Sequence, residues 1–332
     1  MDVTAATTLP VLQAGQLPSD HDGSTRWLVE YIWTEQAVGV IGGIPKLGKT
    51  WIGLDLALSV ASSTLCFGRF EVHQPGRALV YLAEDGLPQV RQRLTALCQR
   101  RQLVLDSTDL HVITAPTLRL DLDADQQRLE ATVAQLKPVL LVLDPLVRLH
   151  RLDENSSADI SALLGYLRGL QRTHGVAIAL VHHMSKRRRA DLGQALRGSG
   201  DIHAWSDSSA YLVGQREHKT FQLTLEHRAA PAPDPIRLRL VHQGDEAHLQ
   251  VVEEADVQPT TSPLTERIRQ ALARASAPQP RVKLRDMLRV NNHRLGKALV
   301  ALERRGVIEH RADGWFLKSP SHAGHDPQRK LS

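Results

Sequence analysis

A group of small residues, a lysine and a hydroxyl lies near the front of the chain, where residues 42–50 have the sequence GGIPKLGKT. Gly43, Gly48, Lys49 and Thr50 have the spacing G-x-x-x-x-G-K-[ST], which is typical of a phosphate-binding loop. In such a loop, backbone N–H groups at a helix N-terminus surround the phosphates, the lysine reaches the β- and γ-phosphates, and the hydroxyl binds Mg²⁺. The sequence therefore predicts ATP and Mg²⁺ as ligands. The predicted nucleotide contacts are Gly43, Ile44, Pro45, Lys46, Leu47, Gly48, Lys49, Thr50 and Trp51.

Carboxylates follow two apolar runs farther along the chain. Asp144 comes directly after the run VLLVL, and Glu84 and Asp85 follow the run ALVYL. A phosphate loop works with a carboxylate that orients Mg²⁺, and Asp144 is predicted to do this together with Thr50. Hydrolysis also requires a group that orients the attacking water. Glu84 is predicted as this base, with Asp85 as the second choice, because the carboxyl edge of a parallel sheet is where ligands bind.

Two histidines end another apolar run, VAIALV, and a basic loop follows them. His182 is predicted to sense the γ-phosphate, although the pair could also be an inert strand end. The loop contains Lys186, Arg187, Arg188 and Arg189 and then the tetrapeptide RGSG at 197–200. These four basic residues are predicted to bind a nucleic-acid backbone, since clustered positive charge attracts phosphate.

Strand-like and helix-like runs alternate through the first two thirds of the chain. Predicted strands cover 37–41, 78–82, 110–114, 139–143 and 176–181, and predicted helices cover 50–61, 87–102, 125–136 and 161–174. The helix at 87–102 is predicted to be basic and exposed. Two of the strands have no polar residue, as expected for strands buried on both faces. The alternation predicts an α/β fold with a mostly parallel sheet between helices.

The pattern changes after about residue 209, where short strand-like runs are separated by Gly, Pro and charged residues. These runs predict a β-rich extension of the same sheet. Proline-rich stretches at 231–235 and 259–263 predict turns or linkers. The predicted organisation is an N-terminal arm at 1–24, an ATPase domain at 25–258, a linker at 259–263, a C-terminal domain at 264–318 and a disordered tail at 319–332.

Charge is distributed unevenly along the 332 residues, whose formal net charge is +5. Residues 264–318 contain 13 Lys/Arg against 5 Asp/Glu, a balance of +8, which leaves −3 for the remainder. A basic module on a near-neutral body is typical of nucleic-acid binding, although a solvated surface could carry the same charge. No apolar stretch approaches the length of a membrane helix, and two cysteines do not make a disulfide scaffold. We therefore expect a cytoplasmic protein without a membrane partner.

The basic segment 264–318 predicts three helices followed by a hairpin. Leu295, Leu299 and Leu302 form an apolar stripe on the third helix, and an Asp-Gly turn joins the two strands. This order resembles a winged helix-turn-helix. The resemblance implies that the third helix enters the DNA major groove, with Arg294 and Lys297 toward DNA and Arg311 on the wing. A winged helix used for docking another protein is the alternative.

The ordered set of motifs resembles the RecA-like ATPases of the hexameric helicase group, and in particular the plasmid replication helicases of the RepA type and related bacterial AAA-type ATPases. The likeness covers residues 25–255. It is carried by the phosphate loop, YLAEDGLPQVRQRLTAL, DPLVRLHRLDEN, and HHMSK followed by RGSG. It implies a RecA-like core and a catalytic glutamate at Glu84. It also implies a homo-oligomeric ring, for which six subunits are expected, in which a neighbour's arginine completes each site.

The resemblance leaves the position of that arginine open. RepA-type helicases carry it about ten residues after the RGS motif, but here the equivalent stretch is HAWSDSSAY, with Asp207 near the expected position. Another branch uses K-x-R at the end of a later strand, where this chain has Glu226 and Arg228. Arg228 is therefore the predicted catalytic finger, and Arg197 and Arg216 are the reserves.

Two functions fit these observations best. The first is a DNA-dependent ATPase, a ring-forming helicase or translocase that threads single-stranded DNA and uses its C-terminal module on duplex DNA. The second is an ATP-gated DNA-binding regulator that controls its oligomerisation without unwinding. A phosphotransferase that acts on a small molecule is the third possibility, but no lid-like arginine cluster or acceptor pocket is recognisable in the sequence.

Overall fold

The computed structural model describes residues 11–17, 25–153, 156–183, 200–214, 220–252, 263–275, 277–288, 290, 292–311 and 313–318, with the side chains of 157, 200, 263, 293, 294 and 297 left out. The chain divides into two units, Met1–Glu253 and Glu254–Ser332. Most of the predicted linker lies outside the described residues, and Pro263 already begins a helix. The predicted tail at 319–332 and most of the predicted arm also lie outside them.

The strands of the first unit form a short hairpin and one large sheet. The hairpin pairs β1 (Trp27–Val29) with β2 (Trp33–Thr34). The parallel strands of the sheet are β3 (Val38–Gly43), β4 (Ala78–Leu82), β5 (Leu110–Val112), β6 (Leu140–Asp144), β7 (Ala177–His183) and β8 (Ser208–Gly214). Their order across the sheet is β8-β3-β7-β6-β4-β5. The predicted parallel α/β core is therefore confirmed.

An antiparallel extension continues the sheet beyond β8, as the sequence predicts. It consists of β9 (Thr220–His227), β10 (Ile236–Gln243) and β11 (Glu246–Val251), which give a nine-stranded sheet in the order β11-β10-β9-β8-β3-β7-β6-β4-β5. Alternate residues of β9 and β10, such as Leu223 and Leu238, are buried against the same face as the first helix. The extension therefore widens the sheet on the side of β3 opposite to β7, β6 and β4.

The helices of the first unit cover the two faces of the sheet. They are α1 (Lys49–Ser62), α2 (Leu87–Arg101), α3 (Asp123–Leu136), α4 (Ser157–His174) and α5 (Gly200–Trp205). The prediction that α2 is an exposed helix is wrong, because Val90, Leu94 and Leu97 are buried against α1. Arg91 and Arg100 lie on the exposed face of α2, and the many basic residues of its sequence make the narrow apolar stripe hard to recognise from composition.

The second unit contains α6 (Pro263–Ala273), α7 (Arg281–Leu288), α8 (Asn292–Arg304) and the hairpin of β12 (Ile308–Arg311) and β13 (Gly314–Leu317). Leu295, Leu299 and Leu302 are buried, as their spacing predicts. Met287 does not share the buried face of α7, since it is 51% exposed. Leu284 and Leu288, four residues apart, form that face without it.

None of the described helices is both long enough and apolar enough to cross a membrane.

Candidate nucleotide-binding site

The predicted phosphate loop connects the end of β3 to the start of α1. Gly48 is the N-cap residue of α1 and has φ 100°, a conformation that favours glycine. A Cβ atom added at Gly43 would lie 3.1 Å from the Cβ of Leu212 and 3.2 Å from its carbonyl oxygen. The two glycines of the motif are therefore required by backbone conformation and by close packing on β8, which leaves the helix N-terminus open to a ligand.

Lys49 is folded back along the loop rather than extended into solvent. Its side chain is 5% exposed, and Nζ donates a hydrogen bond to the carbonyl oxygen of Ile44 at 3.0 Å. The ammonium group consequently lies inside the loop, where a phosphate bound by the backbone amides would meet it. The loop opens into a cleft of about 550 Å³, which is within the range of about 300–1,000 Å³ that is usual for ligand sites.

Asp144 lies at the end of β6 and lines the same cleft, with only 6% of its surface exposed. Burial raises the pKa of Asp144 to about 6, although a hydrogen bond from Thr50 and the nearby Lys49 ammonium act in the opposite direction. Its Oδ2 atom is buried without a hydrogen-bond partner in the part of the chain that the structure describes. A carboxylate oxygen without a protein partner next to a threonine hydroxyl fits the oxygen ligands that Mg²⁺ prefers.

Glu84 and Asp85 follow β4 and both line the cleft. Glu84 accepts a hydrogen bond from Nε of Arg148 at 2.8 Å, and both side chains of this pair are largely exposed. Arg148 ends a short 3-10 helix, Leu146–Arg148, that follows Asp144. Asp85 accepts a hydrogen bond from Arg93 of α2. The two candidate bases therefore differ in setting, because Glu84 is paired at the surface whereas Asp85 is held more deeply against a helix.

The histidine pair at the end of β7 divides between the two faces of the sheet. His182 is 1% exposed and does not line the cleft, whereas His183 does. The strand thus places His183, and not the predicted His182, on the wall of the cleft, and the role of His182 as the γ-phosphate sensor stays a prediction. Successive side chains of a strand point to opposite faces, and His183 follows Val181 on the face that packs against α1.

Arg228 lies just after β9 and does not line the cleft. Its guanidinium donates hydrogen bonds to the carbonyl oxygens of Ala204 and Ser206 and lies 3.5 Å from the carboxylate of Asp207. Asp207 also accepts two hydrogen bonds from Arg168 of α4. In this chain, the predicted finger is thus part of an ion-pair group that connects α4 to the start of β8.

The predicted nucleic-acid contacts are only partly covered by the structure. Lys186, Arg187, Arg188 and Arg189 lie outside the described residues, as do Arg197 and Arg216. Arg294 and Lys297 are on α8, whose backbone alone is described at these positions. Arg311 ends β12, and its guanidinium lies 3.8 Å from the centroid of the Phe316 ring.

A family model for the AAA domain matches residues 5–189, which include the loop, Glu84 and Asp144. This chain belongs to the AAA domain family. The match covers more than half of the chain and runs through every segment that lines the cleft up to His183. Together with the observed sheet, it identifies a P-loop ATPase with a RecA-like core.

Two solved structures resemble this AAA domain. One is described as the structure of a DnaB-like replicative helicase and its interactions with primase. It has a TM-score of 0.50 and 15% sequence identity to this chain, and the match covers 64% of this chain and 59% of that chain. A RadB recombinase has a TM-score of 0.48 and 18% identity over 66% of this chain and 92% of that chain. At 15% identity, the likeness to the helicase describes the fold of the AAA domain alone.

Four residues of the cleft were not singled out from the sequence: Arg93, Phe221, Leu240 and His242. Three of them come from the antiparallel extension, more than 160 residues after the phosphate loop. Leu238, Leu240 and His242 occupy alternate positions of β10 and therefore lie on the same face of the strand. Their alternation was visible in the sequence, but the strand order that brings β9 and β10 beside the loop was not.

Proposed function

We propose that this protein hydrolyses a nucleoside triphosphate at the cleft and couples hydrolysis to work on DNA. The observation that carries the proposal is that one cleft combines an open helix N-terminus, a folded-back lysine and a buried carboxylate, one oxygen of which has no partner among the described residues. This combination of groups suits phosphoryl transfer, which depends mainly on positioning and on electrostatic stabilisation.

The proposed roles follow from the chemistry of each group. The backbone N–H groups of the loop and the Lys49 ammonium hold the phosphates, and Thr50 and Asp144 would hold Mg²⁺, which would neutralise charge on the phosphates. Glu84 accepts a proton from a water molecule as the water oxygen bonds to the γ-phosphorus. The bond between that phosphorus and the bridging oxygen breaks, and the nucleoside diphosphate leaves with the electron pair.

Support for DNA as the partner comes from charge and from fold. Residues 264–318 carry 13 Lys/Arg against 5 Asp/Glu, and the fold is shared with a DnaB-like replicative helicase. Opposite charge provides most of the affinity of non-specific DNA binding. We infer a ring-forming helicase or translocase, with a hexamer as the expected assembly and Arg228 as the candidate arginine for a neighbour's site. The basic residues at 186–189 are the candidate contacts to single-stranded DNA, and Arg294, Lys297 and Arg311 those to duplex DNA.

An ATP-gated DNA-binding regulator is the second candidate, because the second unit has the helices and hairpin that a winged helix would require. A motor should hydrolyse ATP several-fold faster when single-stranded DNA is added. A regulator should prefer one duplex sequence and turn over slowly whether or not DNA is present.

The test is steady-state ATP hydrolysis by the full chain, with and without single-stranded DNA, in the wild type and in Lys49→Ala and Glu84→Gln. We expect Lys49→Ala to abolish nucleotide binding or turnover. We expect Glu84→Gln to bind ATP but to lose at least about 100-fold in kcat, since general-base catalysis contributes roughly 10²–10⁴-fold. Wild-type turnover in Lys49→Ala would refute the site, and normal turnover in Glu84→Gln with loss in Asp85→Asn would transfer the role of base to Asp85.

A further inference from the structure

The cleft has an aromatic end as well as a phosphate end. Trp51, one residue after Thr50, lies in the first turn of α1, and His242 lies near the end of β10. Their ring centroids are 5.7 Å apart with an interplanar angle of 82°. Phe221 of β9 and Leu240 of β10 also line the cleft. An aromatic and aliphatic surface therefore continues directly from the phosphate loop.

The strand order separates the two ends of the cleft. Asp144, Glu84 and His183 are on or just after β6, β4 and β7, on one side of β3. Phe221 and His242 belong to β9 and β10, on the other side of β3 beyond β8. The loop lies between the two groups, and Phe221 carbons lie 3.7–3.9 Å from the position that a Cβ atom would take at Gly48. A ligand with phosphates on the loop would thus have carboxylates at one end and aromatic rings at the other.

Arg93 of α2 connects the aromatic rings to the carboxylates. The guanidinium carbon of Arg93 lies 5.7 Å from the centroid of the Trp51 ring, and Arg93 is held there by its hydrogen bond to Asp85. Aromatic faces together with a guanidinium plane are the groups that stack on nucleobases. Neither a free polyphosphate nor a phosphorylated protein side chain would use such a surface.

The geometry points to a nucleobase subsite formed by Trp51, His242, Phe221 and Leu240, which makes the ligand a nucleoside triphosphate recognised within one subunit. This inference rests on the proposed function, since it places the base of the same nucleotide whose phosphates contact the loop. It also gives the antiparallel extension a role in ligand binding, which the phosphate-loop motif alone does not predict.

The alternative role of Trp51 is packing, because its partly buried ring also contacts the apolar clusters beneath α1. The two roles give different results with two ligands that share their phosphates. A stacked base should contribute to the binding of a nucleotide and contribute nothing to the binding of inorganic tripolyphosphate. A residue that only supports the loop should affect both ligands equally.

The experiment measures the Kd of a non-hydrolysable ATP analogue and of inorganic tripolyphosphate, each with Mg²⁺, for the wild type, Trp51→Ala, Trp51→Phe and His242→Ala. Loss of base–aromatic stacking corresponds to about 1–3 kcal/mol, or about 5- to 150-fold in Kd. We expect such a loss for the ATP analogue in Trp51→Ala and a smaller loss in His242→Ala. Trp51→Phe should stay close to the wild type, and the Kd of tripolyphosphate should change less than about twofold throughout.

Tryptophan fluorescence gives a second readout that does not depend on the stability of Trp51→Ala. The ATP analogue should quench the emission of the wild type and should not quench that of Trp51→Phe. Trp27→Phe is the matched control, because Trp27 packs against Tyr31 and His227 and does not line the cleft. Quenching should persist in this control.

Equal weakening of both ligands, or unchanged binding of the ATP analogue in Trp51→Ala and His242→Ala, would overturn the base subsite. Failure of the proposed function looks different. In that case, tripolyphosphate and the ATP analogue would both fail to bind the wild type, or Lys49→Ala would bind both as well as the wild type does.

Discussion

At the scale of single residues, the cleft contains charged side chains whose environment favours the binding of a ligand rather than the stability of the fold. Asp144 is buried with one oxygen lacking a described partner, and Lys49 is almost fully buried inside a loop. An ionised carboxylate in such a place costs free energy unless a cation compensates it. The sequence predicted both residues, because a strand-end aspartate and a loop lysine are recognisable by position. It could not predict that Glu84 is paired with Arg148.

Asp144 should reduce the stability of the ligand-free protein above its unfolded pKa. Its pKa is about 6 in the folded chain, against 3.8 for an ordinary aspartate, so the folded chain holds the proton more tightly. The resulting penalty is absent below about pH 4, grows as the pH rises, and reaches roughly 3 kcal/mol above pH 6. Without nucleotide and Mg²⁺, Asp144→Asn should therefore be more stable than the wild type at about pH 7.5.

Thermal unfolding of the two proteins from about pH 4 to pH 8 measures this difference directly. The Tm values should converge at the acidic end, where Asp144 is neutral in the folded and unfolded states. A difference in Tm that stays constant across the whole pH range would mean that the ionisation of Asp144 is not its cause.

Arg148 should restrain Glu84, the proposed catalytic base. In the structure, the Glu84 carboxylate is engaged by Arg148, and it must leave this partner before it can accept a proton from water. An exposed ion pair is worth about 0.2–1 kcal/mol, so Arg148→Ala should raise the DNA-independent kcat by no more than about fivefold. Arg151→Ala, a nearby exposed arginine, is the control for the loss of charge. A fall in kcat in Arg148→Ala alone would show that Arg148 assists Glu84 and does not restrain it.

At the scale of elements, the strongest difference from the sequence prediction concerns how α2 packs on α1. Arg101 of α2 lies 2.8 Å from Asp55 of α1, and these side chains are 10% and 1% exposed. Asp55 also accepts a hydrogen bond from the backbone N–H of Phe67 at 2.9 Å. A charged residue in the middle of an apolar helix has no distinctive pattern in a sequence, because its partner is 46 residues away. Periodicity therefore predicted both helices without the ion pair that joins them.

Removing one partner of this pair should destabilise the first unit strongly. Arg101→Met should lower the free energy of unfolding by about 3–5 kcal/mol, because Asp55 would remain buried without a countercharge. The double variant Asp55→Asn/Arg101→Met should recover much of that loss. The measurement is urea denaturation followed by circular dichroism, with Arg100→Met on the exposed face of α2 expected to change stability by less than about 0.5 kcal/mol. Equal losses in the two arginine variants would exclude a special role for the pair.

At the scale of the whole molecule, the sequence predicted the fold class because apolar runs and helical periods are local. The family match and the nine-stranded sheet agree with that prediction. The sequence predicted Trp51 as a nucleotide contact but missed Phe221, Leu240 and His242, because these residues are far from Trp51 in the chain and meet it only through the strand order. The spacing of one short motif is enough to predict the phosphate loop. The positions of the other cleft residues depend on the order of the strands, which no short motif encodes.

Charge is the property of the whole molecule that motivates the DNA proposal, and it gives a quantitative expectation. Each phosphate contact by Lys or Arg contributes about 0.9 to the slope of log K against log salt for duplex DNA. Arg294→Ala/Lys297→Ala should therefore reduce this slope by about two for the full chain, as measured by fluorescence anisotropy between about 50 and 200 mM NaCl. Arg274→Ala/Arg285→Ala removes the same charge from the residue that follows α6 and from α7, and should leave the slope close to that of the wild type. An equal reduction in both double variants would mean that net charge alone attracts DNA, and that α8 is not the surface that binds it.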